Sequence, residues 1–255
     1  MGFVTKLDSK LSRHRRRLRL RFSRHRLQRG LRIIPNLFTL GNAFFGFASI
    51  VFAANNNIVA AAYFILLGAL MDGLDGRIAR YMKVTSDFGT QLDSLCDAVS
   101  FCLAPSLLMY FWQLHTIGIL GFIACAAFLF AGIVRLARFN VTHEQQTVYS
   151  IGVTTTVAAC FLATITIASQ QYYFTTGACG LLIIIVLFLA KLMISTIPFP
   201  TFKQVSRSTY GIFASISFAF MITMGLINVL LAGFISYFAY TFIRILLVKF
   251  HTPKN

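Results

Sequence analysis

The chain has 255 residues, of which 57% are hydrophobic and 12% are charged, and its mean hydropathy is +0.75. Soluble domains carry about 25% charged residues, so this composition excludes an ordinary soluble domain and favours membrane-spanning helices. The five cysteines form no C-x-x-C pair and all fall within apolar stretches. They are typical of small core residues rather than of a disulfide framework or a zinc site.

Residues 1–32 form a strongly basic N-terminal segment. They hold 12 of the 23 Lys and Arg residues of the chain, whose net charge is +16. We expect a cytosolic segment that follows the positive-inside rule, or one that also docks on anionic lipid at about 1 kcal/mol per basic residue. Nucleic-acid binding is disfavoured because no aromatic or folded module accompanies the charge. The segment is also too long and too basic for a signal peptide.

Residues 33–255 are expected to form one transmembrane domain. Each apolar run is long enough to cross a hydrocarbon core of about 30 Å. The last two runs are weakly separated near Gly225 to Asn228. The prediction is an all-α, polytopic membrane bundle of about eight transmembrane helices, six in a core plus two. The runs cover residues 34–54, 58–82, 86–113, 117–139, 149–168, 175–196, 208–225 and 227–248.

The remaining basic residues predict the orientation of the bundle. Three alternate loops, at residues 55–57, around His115 and at residues 169–173, contain no Lys or Arg. This is the positive-inside pattern, and it predicts that both termini are cytosolic. The basic residues lie at the other ends of the runs: Arg77, Arg80, Lys83, Arg135, Arg138, Lys191, Lys203, Arg207, Arg244 and Lys249. The one sizeable internal cytosolic loop is expected at residues 140–148.

Acidic residues are few and concentrated. Five of the seven lie between residues 72 and 97, and carboxylates within membrane spans indicate function. Asp72 and Asp75 share one helix face, and Asp93 and Asp97 share another, because their spacings are three and four residues. A short turn makes the two helices antiparallel neighbours, so the faces can converge. Asp72 lies about 21 Å along its run, near the cytosolic boundary.

Clustered carboxylates of this kind cannot all stay ionised without cations. Oxygen ligands suit Mg²⁺, Mn²⁺ or Ca²⁺, and two metals about 3.5–4 Å apart are usual in phosphoryl chemistry. Gly76 and Gly89 allow close approach of a ligand, and Arg80 offers a cation to a phosphate. Asp87 reads instead as a helix N-terminal charge. An ion-coupled transporter is the alternative, but acids near the midplane would then be expected.

The spacing of these residues resembles the signature of the CDP-alcohol phosphatidyltransferase family. Residues 72–97 read Asp72-x-x-Asp75-Gly76-x-x-Ala79-Arg80-x8-Gly89-x3-Asp93-x3-Asp97. The resemblance implies a six-span helical core, a homodimer, and two divalent ions, Mg²⁺ or Mn²⁺, held by the aspartates. It also implies that Gly76, Ala79, Arg80 and Gly89 line the site of a CDP-linked lipid. Asp97 would act as general base on an acceptor hydroxyl, Asp93 would assist catalysis, and CMP would leave.

Four further segments are similar to bacterial phosphatidylserine synthases, one branch of that family. They are Ile34 to Asn42, Ala98 to Pro105, Arg135 to Asn140, and Ser195 to Lys203. This similarity implies CDP-diacylglycerol and L-serine as substrates, a multi-pass protein of the bacterial inner membrane, and no nucleic-acid partner. Asn36 and Thr39 would face the CDP moiety, although both also suit a helix start. Glycerol 3-phosphate, inositol phosphate or choline remain alternative acceptors.

A serine acceptor brings its own carboxylate and needs a cation. Arg135 and Arg138 lie three residues apart at the cytosolic end of the fourth run and can face the same way. They are equally suited to anchoring the helix at the interface. Asn140, Lys83 and Ser86 are further acceptor-site candidates. One segment departs from the resemblance: residues 152–156 read Gly-Val-Thr-Thr-Thr where a Gly-Leu-Pro segment followed by a second proline is expected.

A serine hydroxyl is a poor nucleophile, so the base predicted at Asp97 can be tested directly. We expect Asp97→Asn to abolish turnover while the protein still inserts into membranes. Turnover and membrane insertion would be measured on the same membrane preparation. Near-normal rates in this variant would show that the base assignment is wrong.

Overall fold

The computed structural model describes residues 33–82, 87–142, 149–171, 179–196, 198–200 and 231–242. These residues are mostly helical, with a π-helical stretch at Ala98–Leu103, a 3-10 turn at Leu114–Ile117 and two three-residue strands. The helices are α1 (Ile33–Ala54), α2 (Ile58–Met82), α3 (Asp87–Asp97), α4 (Ala104–Trp112), α5 (Ile119–Thr142), α6 (Thr155–Gln171), α7 (Cys179–Ile194) and α8 (Leu231–Phe242). The strands are β1 (Tyr149–Ile151) and β2 (Pro198–Pro200).

Four helical stretches are long and apolar enough to cross a membrane: Pro35–Ala54, Ile58–Ile78, Asp87–Trp112 and Ile119–Val141. Helices α6, α7 and α8 are apolar but shorter. The prediction of a multi-pass helical membrane bundle is therefore confirmed, and the first four spans fall within a few residues of their predicted bounds. The count of eight and the orientation of the termini stay predictions, because residues 1–32 and 208–225 lie outside the described residues.

The fifth run was predicted to cover residues 149–168, and the predicted start of this helix was wrong. Residues 149–151 form β1, which pairs antiparallel with β2 so that Tyr149 faces Pro200 and Ile151 faces Pro198. Gly152 then has φ +74°, a conformation that L side chains rarely adopt, and a Cβ at this position would lie 2.7 Å from the Met193 carbonyl oxygen. The glycine therefore ends the strand, and α6 begins only at Thr155.

Side-chain hydrogen bonds define which helix ends meet. Ser94 Oγ donates to Asn140 Oδ1 over 2.9 Å, which joins α3 to the end of α5. Arg138 Nη1 donates to the Ile194 carbonyl over 3.3 Å, which joins α5 to the end of α7. At the other end of the bundle, Cys179 Sγ at the start of α7 donates to Gln113 Oε1 over 3.0 Å. The helices thus alternate in direction, and we call the end that contains Ser94 and Asn140 the aspartate end.

The exposed face of α1 is apolar, and its buried face is small or polar. Its outer face carries large apolar side chains, such as Leu37, which is 66% exposed. Its buried face is small or polar and repeats at helical spacing: Pro35, Thr39, Asn42, Gly46, Ser49 and Ala53. Exposed apolar side chains outside and small polar ones inside are the pattern of a helix that faces lipid and packs closely against its neighbours.

The π-helical stretch is a point of close contact between spans. Ser100 Oγ donates to the Asn42 carbonyl over 2.9 Å. A Cβ on Gly46 would lie 2.7 Å from Ser100 Cα, and a Cβ on Gly132 would meet Cys102 Sγ. Glycine on α1 and on α5 therefore lets both helices approach the third span where its winding changes.

This contact can be tested with two alanine substitutions on the same helix. We expect Gly46→Ala to lower the melting temperature of the detergent-solubilised protein, because the new methyl group meets Ser100 backbone; overpacking of this kind costs about 1–3 kcal/mol. Gly41→Ala is the matched control, since a Cβ there meets nothing within 4 Å. Equal melting temperatures for the two variants would contradict the close approach of α1 and the π-helical stretch.

Candidate metal centre

Three carboxylates meet at the aspartate end. Asp72 and Asp75 lie on the last turns of α2, and Asp93 lies in the middle of α3. One oxygen of each of the three lies within 4.8 Å of the others. Asp75 is buried, at 6% exposure, and the other two are half-buried. The i, i+3 spacing on α2 and the antiparallel neighbour α3 bring these groups together in the way that the sequence spacing predicts.

Asp97 lies one turn beyond Asp93 and is not part of this three-carboxylate cluster. Its carboxylate is close enough to interact electrostatically with Asp72 and Asp93. Asn42 Nδ2 donates to Asp97 Oδ1 over 3.0 Å. Since the Asn42 carbonyl also accepts the Ser100 hydroxyl, Asn42 fixes both the carboxylate and the π-helical stretch that follows it.

One of the clustered carboxylates accepts a hydrogen bond from a threonine on another helix. Thr39 Oγ1 on α1 lies 2.8 Å from Asp75 Oδ2 and 3.1 Å from the Pro35 carbonyl, so its hydroxyl is shared between them. The cluster is therefore tied to α1.

The donor set fits a hard divalent cation. All the converging atoms are carboxylate oxygens, which Mg²⁺ and Mn²⁺ prefer. Asp93 Oδ1 is buried and has no hydrogen-bond partner within the described part of the chain. A buried anionic oxygen is costly unless it is paired or coordinates a metal. Asp72, Asp75 and Asp93 are thus the residues best placed to hold an ion.

The residues predicted for CDP-lipid binding are described in part. Asn36 is half-buried on the first turns of α1, close in sequence to Thr39, and Gly76 is half-buried on α2 next to Asp75. Gly89 is half-buried in the first turn of α3. Ala79 and Arg80 belong to α2, but their side chains lie outside the described residues.

The predicted acceptor residues lie on the last turns of α5. Arg135 is half-buried and within electrostatic range of Cys102 and of Tyr237 on α8. Arg138 uses one N–H on the Ile194 carbonyl, and Asn140 accepts the Ser94 hydroxyl. Lys83 and Ser86 lie outside the described residues.

The family model for CDP-alcohol phosphatidyltransferases matches residues 32–190, which include the whole cluster and its partner Thr39 on α1. The chain belongs to this family. The matched region covers α1 to α6 and most of α7.

Curated relatives of the chain share one name, CDP-diacylglycerol–serine O-phosphatidyltransferase. The relative from Helicobacter pylori is 38% identical over 177 residues, which is 69% of this chain and 75% of the relative. The relative from Bacillus subtilis is 33% identical over 171 residues, 67% of this chain and 92% of the relative. A relative from Saccharomyces cerevisiae is 41% identical over 117 residues, about two fifths of either chain.

Asn42 and Ser94 were not among the predicted site residues. Asn42 follows Thr39 by three residues, so the small and polar stripe on the first span contains a signal for it. Ser94 adjoins Asp93 but points at α5, which spacing alone does not reveal.

If these residues bind a metal ion, substitution of one of them should weaken metal binding. We expect Asp93→Asn to weaken Mn²⁺ binding by more than tenfold, because it removes an anionic ligand at a site where one oxygen is otherwise unpartnered. Binding would be measured by electron paramagnetic resonance titration of purified protein. Asp87→Asn is the control, since Asp87 is exposed on the same helix. Equal losses in both variants would point to nonspecific binding of Mn²⁺ by surface charge.

Proposed function

We propose that the protein transfers the phosphatidyl group of CDP-diacylglycerol to the hydroxyl of L-serine, giving phosphatidylserine and CMP. The observation that carries this proposal is the convergence of Asp72, Asp75 and Asp93 at one end of a membrane bundle, within the region that the family model matches. The names of the relatives support serine as the acceptor.

The four aspartates have distinct parts in this proposal. Asp72, Asp75 and Asp93, together with Asp97, would hold two divalent ions, Mg²⁺ or Mn²⁺. When bound, such ions supply positive charge that stabilises the diphosphate oxygens as negative charge develops on them. The orientation of Asp75 comes from the Thr39 hydroxyl on α1. Asn36, Gly76, Ala79, Arg80 and Gly89 would surround the CDP-lipid.

Asp97 would be the general base. The serine oxygen forms a bond to the lipid-side phosphorus while the bond from that phosphorus to the CMP oxygen breaks. The serine proton passes to the Asp97 carboxylate, and CMP leaves with the bonding electron pair. Asn42 donates a hydrogen bond to Asp97 Oδ1. This bond fixes the carboxylate and leaves the other carboxylate oxygen of Asp97 to take the proton.

The acceptor would be held at the end of α5. A serine carboxylate needs a cation, and Arg135 and Arg138 lie at this end of the bundle, with Asn140 beyond them. The hydrogen bond between Asn140 and Ser94 places this part of α5 beside the residue that follows Asp93. Lys83 and Ser86, which lie between α2 and α3 in the sequence, are further candidates.

The aspartate end would face the cytosol of a bacterium. Arg135, Arg138 and Lys191 all lie on the helix turns that end there, as the positive-inside rule requires of a cytosolic face. A multi-pass protein of the inner membrane and a homodimer complete the proposal, and the dimer rests on family resemblance alone. A transporter is disfavoured because the carboxylates lie near the ends of their spans and not at the midplane.

The acceptor can be identified by measuring CMP release. Isolated membranes would receive CDP-diacylglycerol, Mg²⁺ or Mn²⁺, and one acceptor at a time: serine, glycerol 3-phosphate, inositol phosphate or choline. We expect release with serine only, a loss of at least a hundredfold in Asp93→Asn, and wild-type rates in Asp87→Asn. Metal coordination at the reacting phosphate contributes several kcal/mol, which sets the size of this loss.

Other outcomes of this assay distinguish the alternatives. Release with a different acceptor would keep the family chemistry and reject serine. Absence of release with every acceptor and both metals, from well-inserted protein, would reject transferase activity.

A further inference from the structure

Helix α5 packs antiparallel along the third span, and small or polar side chains mark the line of contact. Gly132 on α5 lies against Cys102 in the π-helical stretch, where a Cβ on the glycine would meet the cysteine sulfur. Ser106 Oγ on α4 donates to the Cys125 carbonyl on α5. The contacts advance along the third span as they move back along α5, so the two helices are in register over this length.

Ser94 extends this line of contact to the aspartate end. Its hydroxyl donates to Asn140 Oδ1 over 2.9 Å and also lies 3.2 Å from the Thr90 carbonyl oxygen, one turn earlier on α3. Ser94 precedes Cys102 by eight residues, and Asn140 follows Gly132 by eight. The bond therefore follows from the register of the two spans and is not a chance meeting of helix ends.

We propose that Ser94 is a positioning residue for the acceptor alcohol. The inference rests on the proposed function, because it takes the last turns of α5 as the acceptor site. In this proposal Ser94 contacts neither the metal ions nor the acceptor. Its hydroxyl holds Asn140, and through Asn140 it sets the position of the end of α5 relative to Asp93 on α3.

The hydrogen bond also determines which groups Asn140 can offer. A side-chain amide has one acceptor oxygen and two N–H donors. Because Oδ1 accepts the Ser94 proton, the N–H donors of Asn140 are directed away from Ser94. Such donors suit an acceptor that carries a carboxylate, as serine does. Loss of the Ser94 hydroxyl would let the amide rotate and would remove this preference.

The end of α5 is also held from a second side. Arg138 Nη1 donates to the Ile194 carbonyl at the end of α7 over 3.3 Å. Removal of the Ser94 hydroxyl therefore leaves α5 tied to α7 while its tie to α3 is lost. We expect the acceptor residues to shift relative to the aspartates in a protein that is still folded.

The test compares three single variants of the full-length protein. Ser94→Ala removes the hydroxyl, and Ser94→Thr keeps it. Ser106→Ala is the matched control, because Ser106 also joins the third span to α5 through a serine hydroxyl but lies 12 residues further from the aspartate end than Ser94. Melting temperatures of the detergent-solubilised proteins would show that each variant is folded.

The first readout is the KM for serine, measured by CMP release at saturating CDP-diacylglycerol and Mn²⁺. We expect it to rise about fivefold in Ser94→Ala, the change in affinity that loss of one neutral hydrogen bond typically produces. It should stay near the wild-type value in Ser94→Thr and Ser106→Ala. The KM for CDP-diacylglycerol and the Mn²⁺ concentration for half-maximal rate should not change in Ser94→Ala, whereas a general loss of packing would alter all three constants.

A double-mutant cycle with Asn140→Ala tests whether Ser94 acts through Asn140. The KM for serine in the double variant should equal that of Asn140→Ala alone, because the Ser94 hydroxyl has then already lost its partner. Melting temperatures of the same four proteins should show the same non-additivity, and this readout does not depend on activity.

Several results would overturn the inference. These are an unchanged KM for serine in Ser94→Ala, an equal rise in Ser106→Ala, or effects of Ser94→Ala and Asn140→Ala that add in full. An equal rise in the Mn²⁺ requirement of Ser94→Ala would assign Ser94 to the metal centre instead. If the wild-type protein releases no CMP with any acceptor, the proposed function fails and the inference falls with it; a failure confined to Ser94 leaves wild-type CMP release intact.

Discussion

The mutual repulsion of carboxylates inside an apolar bundle is the constraint on which the rest of this structure depends. Oxygens of Asp72, Asp75 and Asp93 lie within 4.8 Å of one another, in a setting where water screens charge poorly. Such a cluster is costly unless its members are hydrogen-bonded or paired with a cation. Thr39 donates a hydrogen bond to Asp75, whereas Asp93 Oδ1 has no hydrogen-bond partner in the described part of the chain and is left for a cation.

The buried face of the first span orients the carboxylates at the aspartate end. Its buried face supplies Thr39 to Asp75 and Asn42 to Asp97, and below them Gly46 allows the third span to come close. The large apolar side chains of α1 are turned outward. Without a hydrophobic driving force between helices in lipid, close packing and interhelical hydrogen bonds must hold the spans together. In α1 the same face provides both the packing and the orientation of the carboxylates.

Hydropathy was sufficient to predict the first four spans, because their length and apolarity are set by the membrane and not by tertiary contacts. Spacing was sufficient to bring Asp72, Asp75 and Asp93 together. The start of α6 was mispredicted because an apolar run does not separate strand from helix, and the deciding feature, Gly152 against the end of α7, is tertiary. The π-helical stretch after Asp97 was not predictable for the same reason.

The proposed metal-binding residues and the proposed acceptor residues lie on different helices, and this separation bears on how members of one family could accept different alcohols. The proposed metal-binding carboxylates lie on α2 and α3, whereas the proposed acceptor residues lie on α5, whose end is tied to α7 through Arg138 and Ile194. The described hydrogen bond that joins the two parts is the one from Ser94 to Asn140. Substitutions on the last turns of α5 would therefore alter the proposed acceptor pocket while leaving Thr39 and Asn42 on their carboxylates. Acceptor choice would then change without rebuilding the centre that activates the lipid phosphate.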